Sequence, residues 1–143
     1  MRLEQVLARW ARTSAAARRA PASAPSPSQS PVAGRWTNEY GSVADITVDG
    51  DRIRGTYTTA VAGGTAPEPL AGPISGFVRG DVVAFSVLWP PYMHSITSWV
   101  GQVVDVDGEP QLKTLWHLIV DIPDADEPSG LWATVHTGSD TFR

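Results

Sequence analysis

From Gly34 to Arg143 the chain is a succession of short runs rich in β-branched and aromatic residues, each bounded by Gly, Pro or Asp. Such runs suit the pleated, half-buried surface of a sheet, and no stretch of this segment carries a helical period. The pattern predicts eight strands, near residues 35–38, 42–48, 52–59, 70–78, 82–89, 97–106, 111–120 and 132–142. Asp49-Gly50 and Asp107-Gly108 sit between runs as tight hairpin turns, so neighbouring strands join in up-and-down order. The expected fold is all-β. Eight antiparallel strands in so short a segment close into an up-and-down β-barrel just wide enough to hold one small ligand.

Residues 1–33 differ in kind. Met1 to Arg19 places Leu3, Val6, Leu7 and Trp10 at roughly helical spacing, and Ala20 to Pro31 alternates Pro, Ser and Ala in the manner of a linker. We therefore expect a disordered or helical N-terminal extension over 1–33, disorder being the plainer reading, and a barrel domain over 34–143. Charge interrupts the apolar positions every few residues, which leaves neither a secretory h-region nor a membrane span. An arginine-rich, acid-poor helix also suits a targeting peptide or an acidic membrane surface. The extension holds five arginines against Glu4, while the whole 143-residue chain has a net charge of −4. The barrel segment is thus acidic and a poor candidate for nucleic acid, whose phosphates need clustered Lys and Arg. There is no cysteine, which excludes disulfides, thiolate metal sites and cysteine nucleophiles.

Period-two alternation says which side chains point inward. Ile53, Gly55, Tyr57 and Thr59 share one face of their strand, and Arg52 and Arg54 the other. Phe85, Val87 and Trp89 form a second inward set, Thr97, Trp99, Gly101 and Val103 a third, and Leu112, Thr114, Trp116 and Leu118 a fourth. On the last strand Thr134, His136, Gly138, Asp140 and Phe142 align. The inward faces therefore combine large aromatics with single polar groups. Buried polar groups without partners cost about 1–3 kcal/mol each. A bound ligand supplies such partners, and aromatic walls with a few polar groups are the chemistry of a small-molecule pocket.

Six stretches carry a family resemblance: GRWTNEYGS (34–42), GTYTTAV (55–61), FSVLW (85–89), SITSWVGQ (95–102), LKTLW (112–116) and LWATVHTGSDTFR (131–143). With these stretches in family order and with compatible gaps, the chain resembles the avidin and streptavidin family of biotin-binding proteins. The resemblance implies non-catalytic, high-affinity binding of biotin in the open end of the barrel. It assigns the ureido oxygen to donors from Asn38, Ser42 and Tyr57, and the two ureido N–H groups to Thr59 and Asp140. Thr97 would face the thioether sulfur. Ser95 and backbone N–H groups near Ala62 and Gly63 would reach the valerate carboxylate. Trp89, Trp99 and Trp116 would wall the ring and chain, and Trp132 would be lent to a neighbouring subunit's pocket. The resemblance thus also implies a homo-oligomer, a tetramer first and a dimer second, with Leu115, Thr137 and Ser139 at subunit contacts. Family members are usually exported, whereas this N-terminus shows no recognisable signal peptide.

Other readings of the same residues set the alternatives. Trp36 belongs to the core at the closed end of the barrel, and Phe85 and Phe142 are core as well. His94, His117 and His136 form no HxH or HxxxH pair, so no metal site is expected. A hydrolase would need His94 to activate Ser95, yet adjacent strand residues point to opposite faces. No nucleophile elbow, paired acid or phosphate loop appears. No cofactor and no enzymatic activity are expected; the alternative function is an avidin-like barrel that binds another small heterocycle or a peptide. The stiff Pro90-Pro91 turn and the Gly- and Pro-rich loop from Ala62 to Pro69 are the places where selectivity would change.

Overall fold

The computed structural model describes residues 2–17, 30–60 and 69–143. Its body is one eight-stranded antiparallel sheet whose strands pair strictly in chain order. These are β1 (Gly34–Thr37), β2 (Val43–Asp49), β3 (Arg52–Thr58), β4 (Ala71–Arg79), β5 (Val82–Leu88), β6 (Ser95–Val106), β7 (Glu109–Val120) and β8 (Val135–Phe142). The sheet curls until its ends meet. Thr37 N–H donates to the Arg143 carbonyl at 2.8 Å, Arg143 N–H returns the bond at 2.9 Å, and Asn38 bridges Phe142. The first and last strands meet only at this point, and among the described residues the rest of their edges are not paired with each other.

The turns follow from residues that tolerate positive φ. Asp107 (φ 55°) and Gly108 (φ 85°) form the two-residue loop between Val106 and Glu109, the arrangement a twisted hairpin favours. At the β2–β3 turn the central pair is Gly50-Asp51, with Gly50 at φ 59° between Asp49 and Arg52. The expected turn is therefore present but shifted by one residue.

Alternation decides the core. Ile53 and Tyr57 are buried on β3 while Arg52 and Arg54 are exposed, and Val83, Phe85 and Val87 are buried on β5. Phe142, Ile53, Leu112, Val32 and Val87 are the largest fully enclosed side chains. Val32 and Trp36 stop the closed end of the barrel, with the Trp36 indole N–H donating to the Val32 carbonyl at 2.8 Å.

Two sequence expectations change. The run beginning at Trp132 does not enter the sheet until Val135, because Leu131–Thr134 forms a 3₁₀ turn in which Thr134 Oγ1 bonds the Leu131 carbonyl at 2.6 Å. The segment after Gly34 also holds two further helical pieces, a 3₁₀ turn over Pro91–Met93 and a short helix over Glu127–Gly130, each beginning near a proline that presets φ. Helix α1 (Leu3–Ala17) is the helical form of the N-terminal extension, and its Leu3 and Leu7 are exposed. Among the described residues no helix is long and apolar enough to cross a membrane.

Candidate ligand-binding site

The site lies inside the barrel at the end opposite Val32. The turn Asn38–Ser42 places its first two members. Asn38 N–H donates to the Ser42 carbonyl at 2.9 Å, and Asn38 Oδ1 accepts the Tyr40 and Ser42 amides at 3.0 and 2.8 Å. With its oxygen occupied by the turn, the Asn38 amide presents its N–H side to the interior, where Nδ2 reaches Tyr57 Oη at 3.5 Å. Ser42 Oγ accepts the Ala60 N–H at 3.1 Å, which leaves its own hydrogen to donate.

Asp140 completes the polar set from β8. Its Oδ2 accepts the Trp99 indole N–H at 2.9 Å, and Asn38 and Trp116 are further hydrogen-bond donors to it. Tyr57 stacks on Trp99 with ring centroids 4.9 Å apart, and Trp89 meets Tyr57 edge-on at 5.8 Å. Tyr57, Trp99, Asp140 and Asn38 thus form a closed circuit of contacts, which Ser42 joins through a hydrogen bond to the Tyr57 hydroxyl. Burial pushes the Tyr57 hydroxyl up to about 12, so it remains a donor throughout the neutral range. The Asp140 carboxyl is pushed up from its ordinary value, first by burial and then by the Glu39 carboxylate, against the donors Trp99, Asn38 and Trp116.

The remaining expected residues are less tightly joined. Thr97 Oγ1 accepts the Trp89 indole N–H at 2.8 Å, which fixes the plane of that ring. Thr59 is half-buried and holds the base of the following loop, its N–H on the Leu70 carbonyl at 2.8 Å and its Oγ1 on the Leu70 N–H at 2.9 Å. Ser95 Oγ is buried and has no hydrogen-bond partner among the described residues. Trp116 is half-buried. Trp132 is not brought to the pocket of its own chain and stands 87% exposed. Gly63, with the Ala62 amide and most of that loop, lies outside the described residues. Beside the rim, a cavity of about 720 Å³ has Trp89 and Ser95 on one side and Pro90, Pro91, Ile122 and Leu131 on the other. It does not take in Asn38, Tyr57 or Asp140, so it adjoins the polar cluster rather than containing it.

Three structural residues escaped the sequence reading. Glu39 Oε2 accepts the Thr141 N–H at 2.8 Å across the closing seam. Thr114 Oγ1 holds the Asp140 carbonyl at 3.2 Å. Gly138 lies cross-strand from Trp116, whose indole occupies the space a Cβ would need. Inward parity marked Thr114 and Gly138 as interior, but nothing local separated them from ordinary core. Glu39 had no signal beyond its place next to Asn38.

This arrangement is built to hold a neutral, polar, flat group. It brings O–H and N–H donors, a carboxylate and stacked aromatic rings together in one cluster. No serine hydroxyl in it is bonded to a histidine among the described residues, and the His94 side chain is exposed, 3.9 Å from Asp121 on the outside.

The sequence model of the Avidin family matches residues 26–143. Avidin-related protein 4/5 of Gallus gallus is 32% identical over 117 residues, covering 78% of this chain and 75% of the relative. Among solved structures, Xenavidin has a TM-score of 0.65 at 27% identity, over 80% of this chain and 96% of Xenavidin. A rhizavidin–biotin complex has a TM-score of 0.61 at 30% identity, over 77% of this chain and 88% of rhizavidin.

Proposed function

The chain belongs to the avidin family, and from that premise we propose that it binds biotin at high affinity and without catalysis in the open end of its barrel. The observation that carries this reading is the polar circuit of Asn38, Tyr57 and Asp140, extended by Ser42 and set against Trp89 and Trp99. The 3.5 Å contact between Asn38 and Tyr57 is long for a hydrogen bond, so little is lost when both donors turn to a ureido oxygen between them. Ser42 supplies the third donor. Three donors on one oxygen favour its polarised form, and Asp140 and Thr59 accept the N–H groups that polarisation acidifies.

In this proposal Thr97 faces the thioether sulfur, and Trp116, Trp99 and Trp89 enclose ring and chain. Ser95, whose buried hydroxyl has no partner among the described residues, binds the carboxylate together with backbone N–H groups at Ala62 and Gly63. Because the polar groups are held by strands and by one another, little ordering opposes binding. The binding unit is the barrel domain, 34–143, with the Val32 plug; residues 1–33 otherwise form an extension.

We extend the proposal to a homo-oligomer, a tetramer in the first instance, in which Trp132 covers the pocket of a neighbouring copy. Two features support it. Trp132 is a large apolar side chain left 87% exposed. The outer face of β5–β8 also carries a row of cross-strand partners, Leu88, Ile96, Ile119 and Val135, all exposed. Contiguous apolar surface of this kind marks an interaction site.

Calorimetric titration with biotin, run beside Asp140→Ala and Trp132→Ala and with mass from light scattering, tests both parts. One biotin per chain, weakened by both substitutions, is the expected result. Absence of heat and of any thermal shift overturns the biotin reading, and a monomeric mass overturns the lent tryptophan.

A further inference from the structure

Glu39 lies just past β1, where β1 and β8 close the barrel, and it makes a contact that the pocket's other residues do not. Its Oε2 accepts the backbone N–H of Thr141 at 2.8 Å, joining residues 102 apart in sequence. Thr141 directly follows Asp140, and Asn38, which directly precedes Glu39, donates to the Asp140 carboxylate. Two consecutive residues just after β1 therefore grip two consecutive residues of β8. β1 has only four residues and its pairing with the last residues of the chain ends at the Asn38–Phe142 bridge, so this grip continues the closure into the ligand end.

Resting on the biotin reading, we propose that Glu39 is a positioning residue for ligand binding: it clasps β8 beside Asp140 and so holds that carboxylate where the ureido N–H must arrive. Its charge acts at the same place. β6 and β7 present Asp140 with the uncharged donors Trp99 and Trp116 and the hydroxyl of Thr114, while β3 presents the neutral Tyr57 hydroxyl. Lys113, cross-strand from Thr141, is exposed on the outer face. Glu39 is thus the anionic group that acts on Asp140, and like charge favours the protonated form of its neighbour. An N–H donor needs the ionised form. The clasp consequently strengthens binding by geometry while raising the pH at which acid releases the ligand.

The two effects separate in two variants. Glu39→Gln keeps an acceptor for the Thr141 amide and removes the charge; Glu39→Ala removes both. Biotin dissociation rates are measured from pH 4 to 8 on the full chain and both variants, and the Asp140 carboxyl is titrated by ¹³C NMR without ligand. At pH 8 Glu39→Ala should release biotin about tenfold faster than the parent, the loss of one charge-assisted hydrogen bond in the frame that places Asp140. Glu39→Gln should lose less at pH 8, and both variants should shift the acid release and the Asp140 titration to lower pH. A purely structural role would accelerate release equally at every pH and leave the Asp140 titration in place, which overturns the proposal. Parent-like release and titration in both variants overturn it too. If the parent takes up no biotin, the reading of the pocket falls and this proposal falls with it.

Discussion

Asp140 serves two opposed requirements, and pH tells them apart. Burial, then the Glu39 charge, raise its carboxyl, while Trp99, Asn38 and Trp116 act the other way. A carboxyl whose folded value lies above its unfolded value stabilises the fold below the unfolded value, and that contribution is lost as pH rises through the folded one. In the proposed complex binding has the opposite sign, since a ureido N–H on Asp140 would select the ionised form. The thermal shift produced by biotin should therefore shrink as pH falls through the raised Asp140 range; a shift that stays constant or grows on acidification would remove Asp140 from the binding role. Ser95 presents a similar conflict. Ser95→Ala deletes a buried hydroxyl that has no partner among the described residues, so the ligand-free protein should gain about 1 kcal/mol in urea unfolding while its affinity for biotin falls.

Among the elements, β8 and the β6–β7 hairpin make contrasting predictions. Gly138 admits the Trp116 indole into the space of its missing side chain. Gly138→Ala must displace that ring, costing about 1–3 kcal/mol of overpacking strain and weakening biotin binding in the same variant. Gly108 has φ 85° in the β6–β7 turn, far from Asp140 along the barrel. Gly108→Ala should cost about 1 kcal/mol of stability through backbone strain and leave the biotin dissociation constant unchanged. Equal loss of affinity in the two variants would mean that the pocket responds to global stability and not to the seat of Trp116. The strands that these tests perturb were legible from alternation and turn chemistry. The 3₁₀ turn at Leu131–Thr134 was not, because Trp132, Thr134 and the residues after them have the same β-like composition on both sides of Val135.

For the whole molecule, the acidic outer surface is interrupted on β5–β8 by the Leu88, Ile96, Ile119 and Val135 row and by Leu115, which is 61% exposed. Ile119→Asp puts a charge on this face, and if copies pack there its desolvation should reduce the mass measured by light scattering. Its own barrel has no use for an apolar side chain at that position, so the secondary structure should be retained. An unchanged mass would move the interface to another face. Trp132→Ala, by contrast, should weaken biotin binding more than it changes mass, because in the proposed oligomer one ring would cover a ligand whereas a row of side chains would join subunits.

The sequence by itself determined the eight-strand order, the inward faces and the residue types available to the pocket. Side-chain alternation and positive-φ turns act over a few residues, so they are written locally at positions such as Tyr57, Trp99, Asp107 and Gly108. Only the tertiary structure decided how those faces are joined. The Glu39 to Thr141 bond, the Trp99 to Asp140 bond and the fit of Trp116 against Gly138 link different strands or the two ends of the sheet. Such contacts depend on barrel closure and register. Neither is set by a residue's own conformational preference; both follow when the sheet curls and its first strand meets its last.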